Sequence, residues 1–129
     1  MNPFLKGFGK RSGRVRIINS TKQTTVACAV ESAASLGARL VGLLGRRQLE
    51  AGGGLLITPS SGVHTWGMRF RIDVVALDSR MCVVQVRENL GAFRIAAVSW
   101  RTRSVLELPV GAVRQSRIEV GDQLALLAA

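Results

Sequence analysis

The sequence predicts a mainly β fold (β-rich α+β), an antiparallel sandwich or partly closed barrel of seven to nine short strands with one covering helix. Three observations predict it. Apolar, β-branched runs of strand length recur along the chain and are closed by Gly, Pro, Asn or Asp. One stretch, Ser32 to Leu44, switches to a helical period. The 129 residues, 47% hydrophobic and 20% charged, suffice for one core and one domain.

Residues 1–13 (MNPFLKGFGKRSG) read as a flexible basic arm with Phe4 and Phe8 as aromatic anchors, and 14–129 as the domain. Val15 to Ile18 is β-prone. Thr24 to Val30 alternates, which places Val26, Cys28 and Val30 on one face. The polar turn Asn19-Ser20-Thr21-Lys22 joins the two runs as an antiparallel hairpin. Ser32 is the expected N-cap of the helix, whose stripe is Leu36, Leu40, Leu43 and Leu44. Gly52-Gly53-Gly54 breaks the chain before a buried-type strand, Leu55 to Thr58, stopped by Pro59.

His64 to Arg71 (HTWGMRFR) reads as an extended segment, with His64, Trp66, Met68 and Phe70 on one parity. Residues 72–88 read as a second hairpin, turning at Asp78-Ser79-Arg80. Ser104 to Leu108 is a strand stopped by Pro109, and Gly111 to Arg117 one helical turn. Val120-Gly121-Asp122 is a turn with Gly at positive φ, leading into a last strand, Gln123 to Leu127.

The formal net charge of +10 suggests a polyanion partner. Fifteen of the eighteen cations are Arg, a skew that codon usage alone can impose. The clear asymmetry is N-terminal, where Lys6, Lys10, Arg11, Arg14, Arg16 and Lys22 precede the first acid, Glu31. The first five are the candidate nucleic-acid contacts, set against a plain solvated basic face. No RNP-like motif or helix-turn-helix pattern accompanies them. Cys28 and Cys82 match no zinc or redox spacing and are expected to be reduced, buried thiols of a cytoplasmic protein. Phe4-Leu5 is followed at once by Lys6-Gly7, so no secretory h-region is expected, and no apolar run is long enough to span a membrane.

The ordered blocks LVGLLGRRQL, GGGLLI, HTWGMRFRIDVVALD, VVQVRENL, SVLELPVGAV and IEVGDQL resemble the uncharacterised family called domain of unknown function 192, over roughly residues 14–127. The resemblance implies a compact β-rich fold with one helix and no established activity. Arg71 departs from the family pattern, which commonly has Pro there.

The candidate ligand-binding residues are His64, Trp66, Met68, Arg69, Asp73 and Glu107. His64 is the single histidine, so a Ser/His/Asp scheme depends on it alone, and no GxSxG elbow exists. Asp73 either accepts backbone or Arg hydrogen bonds at a bend or serves the site. Glu107, between Leu106 and Leu108, either points to solvent or is a partly buried carboxylate facing His64 or Arg69. Trp66, Met68 and Phe70, with Phe93 and Trp100, line either a pocket or plain core.

A metal held by His64, Asp73 and Glu107 has no spacing to support it, and GGGLLI lacks the Lys and Ser/Thr of a phosphate loop, so no cofactor is expected. The favoured reading is a small-ligand or peptide-binding module around HTWGMRF and Glu107. Its alternatives are a polyanion binder acting through the arm and an enzyme using His64 with Asp73 or Glu107.

Overall fold

β1 (Val15–Asn19) and β2 (Thr24–Ala33) form the predicted antiparallel hairpin in a computed structural model of the chain. The structure describes residues 14–33, 49–58, 63–64, 71–91, 95–96 and 100–128, excluding the side chains of 33, 63–64 and 95–96. The expectations for the arm, for the helical stripe from Leu36 to Leu44, and for Trp66, Met68, Arg69, Phe70 and Phe93 lie outside these residues.

β2 is longer and less regular than its alternation suggests. It advances two residues where β1 steps once from Ile18 to Ile17, and three where β1 steps two to Val15. Each extra residue is a bulge that reverses the parity of the strand beyond it. Val26, Ala27 and Val30 are therefore buried, while Cys28 is exposed. This corrects the expected buried thiol at 28, and Cys82 is only half-buried; both are free thiols. Cys28 N and Ala29 N both donate to Gly52 O, at 2.7 and 3.0 Å. Ser32 is also not a helix cap. It lies within β2 and pairs with Leu56, because parallel pairing with β3 extends the strand to Ala33.

The remaining strands are β3 (Gly53–Ile57), β4 (Val63–His64), β5 (Ile72–Leu77), β6 (Val83–Leu90), β7 (Ile95–Ala96), β8 (Ser104–Pro109) and β9 (Leu124–Ala128). A short helix, α1 (Ala112–Ser116), follows β8. Seven strands form one mixed sheet in the order β6-β5-β8-β3-β2-β1-β9, and β4 pairs with β7 separately. Every pairing in the large sheet is antiparallel except β2 with β3. A parallel pair needs a long crossover, which residues 34–52 supply.

The sheet curls into a half-barrel. Its two edge strands approach each other at one end, where Cys82 bridges Gln123, Val83 N donates to Asp122 O (2.9 Å) and Gly121 N donates to Val83 O (2.8 Å). The partly closed barrel thus holds over the sandwich, with a mixed rather than wholly antiparallel sheet.

Ile17, Val30, Leu56, Val75, Leu77, Leu106, Leu108 and Leu124 form the main core, with Val113 of α1 and Ile118 packed into it. Gly54 lets β3 approach β8 here. A Cβ would lie 3.1 Å from both Glu107 O and Leu108 Cδ2. The middle of the sheet is buried on its other face too. Register places Leu55, Ile57, Ile72, Val74, Ala76, Val105 and Glu107 together there.

Candidate functional site

Glu107 occupies the centre of β8, the middle strand of β5-β8-β3, and its cross-strand partners are Val74 and Leu55. The residue is 0% exposed, which excludes the solvent-pointing alternative. A carboxylate buried among aliphatic side chains is costly unless hydrogen-bonded or paired. Along β8 the residues on either side of it, Leu106 and Leu108, face the main core.

Asp73 lies on the opposite face. It pairs with Leu108, one step out of phase with the Val74–Glu107 pair, and the β5–β8 register is unbroken. Side chains one residue apart on a strand point to opposite faces. A single site using both carboxylates, with or without a metal, is therefore not formed. Asp73 is also fully occupied by backbone. Oδ1 accepts from Asn89 N (2.8 Å), and Oδ2 accepts from Gly111 N (3.0 Å) and Val113 N (3.1 Å). Asn89, at φ 56, sits in a register shift of β6, and Gly111 is the N-cap of α1, with no cap from its own side chain. Asp73 thus caps the helix from a distant strand and fills the shift.

His64 is the last residue of β4, opposite Ile95. Arg71 donates from Nη1 to Asn89 O (2.9 Å), tying the start of β5 to the end of β6. Of the candidate cations, Arg14 is 3.8 Å from Glu31 and Arg16 is an exposed residue of β1, while Lys6, Lys10 and Arg11 lie outside the described residues. Trp100 is not part of the core. It is 84% exposed, which removes the core alternative for this residue. Among the described residues, no group of three His, Cys, Asp or Glu could hold a metal, and no helix is long and apolar enough to cross a membrane.

Two features escaped the sequence. The first is an ionic cluster between the β1–β2 turn and the turn before β9. Lys22 Nζ donates to Glu119 Oε1 (2.6 Å), Arg117 O (2.8 Å) and Asp122 Oδ2 (2.9 Å). Asp122 Oδ2 also accepts from buried Asn19 Nδ2 (2.9 Å) and from Glu119 N (3.0 Å). Hydrogen bonds to Asp122 and then Glu119 raise the Lys22 ammonium above its ordinary range. Burial alone would raise the Asp122 carboxyl, but the bonds from Lys22, Asn19 and Glu119 N outweigh it and hold it below its ordinary value. These residues lie about a hundred positions apart, so no local pattern announces them.

The second is a groove of about 630 Å³ lined by Arg14, Cys28, Glu31, Glu50 and the triple-glycine turn. The glycine run was the signal for it. The bulges that expose Cys28 beside it leave no trace in the alternation.

The crystal structure of a Sinorhizobium meliloti protein described as a "putative transcription regulator" is similar to this chain, with 26% identity and a TM-score of 0.71 over 88% of this chain and 92% of that one. A protein of unknown function from Novosphingobium aromaticivorans shares the fold, with 17% identity and a TM-score of 0.73 over 87% and 83% of the two chains. No curated protein matches. The model of DUF192, described as "Uncharacterized ACR", matches residues 17–126. With most of the domain inside that match and the fold shared, the chain belongs to the DUF192 family.

Proposed function

We propose that the protein is a small-ligand or peptide-binding module whose pocket is built on the Glu107 face of the sheet, with His64, Trp66, Met68 and Arg69 supplied by the chain leading from β4 to β5. The observation that carries this reading is the fully buried carboxylate at the centre of β8. A carboxylate near a strand end, as Asp73 is, can be satisfied by backbone N–H groups at turns and helix starts. Backbone N–H groups in mid-sheet are engaged in the ladders to both neighbours. Glu107 is therefore partnered by side chains rather than by the ladder. The HTWGMRF block contains the donors suited to it: imidazole, indole N–H and guanidinium. A mostly apolar surface with a few convergent polar groups is the usual make-up of a ligand pocket.

The test is a thermal-shift screen of metabolites and short peptides on wild type, Glu107→Gln and His64→Ala, with circular dichroism confirming that each variant is folded. A ligand at 100 times its dissociation constant stabilises the fold by about 2.7 kcal/mol. The expected result is a stabilising compound whose effect disappears in both variants. An effect retained in full by both places the ligand elsewhere.

A second reading, polyanion binding through the N-terminal arm, is favoured by the +10 charge and by the description of the Sinorhizobium relative. Arg14 and Lys22 weigh against it, since both already face carboxylates. Replacing Lys6, Lys10 and Arg11 by Gln should lower the salt concentration that elutes the protein from heparin, and unchanged elution removes the arm from the argument.

A further inference from the structure

We propose that the end of the half-barrel carrying Trp100, Arg101, Arg103 and Arg80 is a binding surface for single-stranded nucleic acid. The residues of this surface are none of those named for the Glu107 site or for the N-terminal arm.

The register of the sheet brings these residues together. Leu77 pairs with Ser104, so the chain entering β8 and the chain leaving β5 lie side by side at the sheet end. Arg103 N donates to Leu77 O (2.8 Å), which pins the Trp100–Arg103 segment against the Asp78–Met81 turn. Within that segment Thr102 is buried and acts as the anchor, while Trp100, Arg101 and Arg103 are exposed around it. Arg103 Nη1 donates to Trp100 O (3.1 Å) and Thr102 O (3.2 Å), holding the loop in shape. Arg80 is exposed on the neighbouring turn, whose backbone is fixed by Asp78 Oδ1 accepting from Arg80 N (2.8 Å) and Cys82 N (2.9 Å).

An indole that is 84% exposed contributes little to the core. Its flat face is available for stacking, and an unpaired base offers the matching surface. The exposed guanidinium groups of Arg80, Arg101 and Arg103 on these two turns suit phosphates, which guanidinium binds in a planar, bidentate manner. Asp78 Oδ1 accepts two backbone N–H groups, and its charge also acts on Arg101 and Arg80, so three guanidinium groups face one carboxylate and the cluster stays positive. A duplex hides its base faces inside the stack and leaves the indole nothing to stack on.

The experiment measures the anisotropy of a fluorescein-labelled oligothymidylate, and of its oligouridylate counterpart, of about 12 nucleotides. The full-length protein, Trp100→Ala and the triple variant Arg80→Gln/Arg101→Gln/Arg103→Gln are compared, with melting curves as the folding control. Trp100→Ala should melt like wild type and bind roughly 5- to 150-fold more weakly, the range expected from losing one base–aromatic stack. Wild type should show a slope of log K against log salt near −2, as expected for about three phosphate contacts on a single strand, and the triple variant a slope near zero. Glu107→Gln should bind as wild type does. The proposal is overturned if Trp100→Ala binds as tightly as wild type, if the matching duplex binds equally well, or if anionic vesicles are bound in place of the oligonucleotides.

Discussion

Replacing Asp73 by Ala removes one carboxylate and strands three backbone donors at once: Asn89 N, Gly111 N and Val113 N. A hydrogen bond to a charged group contributes about 1.5–3 kcal/mol, and a buried donor left unsatisfied costs about 1–3 kcal/mol. The three do not add fully. The bonds to Asn89 and Gly111 are only part-buried, so water can replace some of what is lost, whereas the bond to Val113 is buried. The expected loss is about 3–5 kcal/mol, a large share of the ~5–15 kcal/mol that stabilises a domain. At ~2.1 cal/mol/K per residue, unfolding this chain has an entropy for which 1 kcal/mol shifts the Tm by about 4 °C, so the midpoint should fall by about 12–20 °C.

Asp73→Asn is the finer probe. Its single carbonyl oxygen can serve either Asn89 N or the pair at Gly111 and Val113. Keeping the pair costs one charged bond, about 1.5–3 kcal/mol. Urea denaturation read by circular dichroism measures both variants, with the m-value checking that the unfolding transition is unchanged. A loss below about 1 kcal/mol for the Ala variant would refute the claim that this carboxylate caps α1 and fills the β6 register shift.

Three further outcomes rest on the same geometry. The Lys22–Asp122 pair shapes stability at both ends of the pH scale. The Asp122 carboxyl is held below its ordinary 3.8, so its contribution is present above that value and fades as pH falls through the lower folded value; the Lys22 ammonium is raised above 10.5, so its contribution is present below 10.5 and is lost as pH rises through the higher folded value. Asp122→Asn should flatten the acid limb of a Tm-against-pH curve, and an unchanged limb contradicts the assignment. Native-state alkylation followed by mass spectrometry should label exposed Cys28 well before half-buried Cys82, whose Sγ lies 3.0 Å from Gln123 Oε1; equal rates would contradict the placement of the β2 bulges. Gly54→Ala should cost about 1–3 kcal/mol in urea denaturation, because the added methyl meets Glu107 O and Leu108 at 3.1 Å, and a neutral result means that β3 and β8 can part freely.

The short strands and their turns were determined by the sequence itself, because those signals are local. Val15 to Asn19, Ile72 to Leu77 and Ser104 to Pro109 carry their own β preference. Asp78 engages backbone N–H groups two and four residues on, and Gly121 takes its positive φ (97°) within the turn it makes. Tertiary structure decided whatever depends on partners far along the chain. Pairing with β1 placed two bulges in β2 and turned Cys28 outward. Pairing with β3 drew Ser32 into a strand. Because β8 is flanked on both sides and the sheet is covered on both faces, Glu107 is buried where its parity alone allowed solvent. The same unbroken register sent Asp73 to the other face, to bind a helix start 40 residues away. A residue's face is set by its own strand, but whether that face meets water or core is set by the chain laid over it.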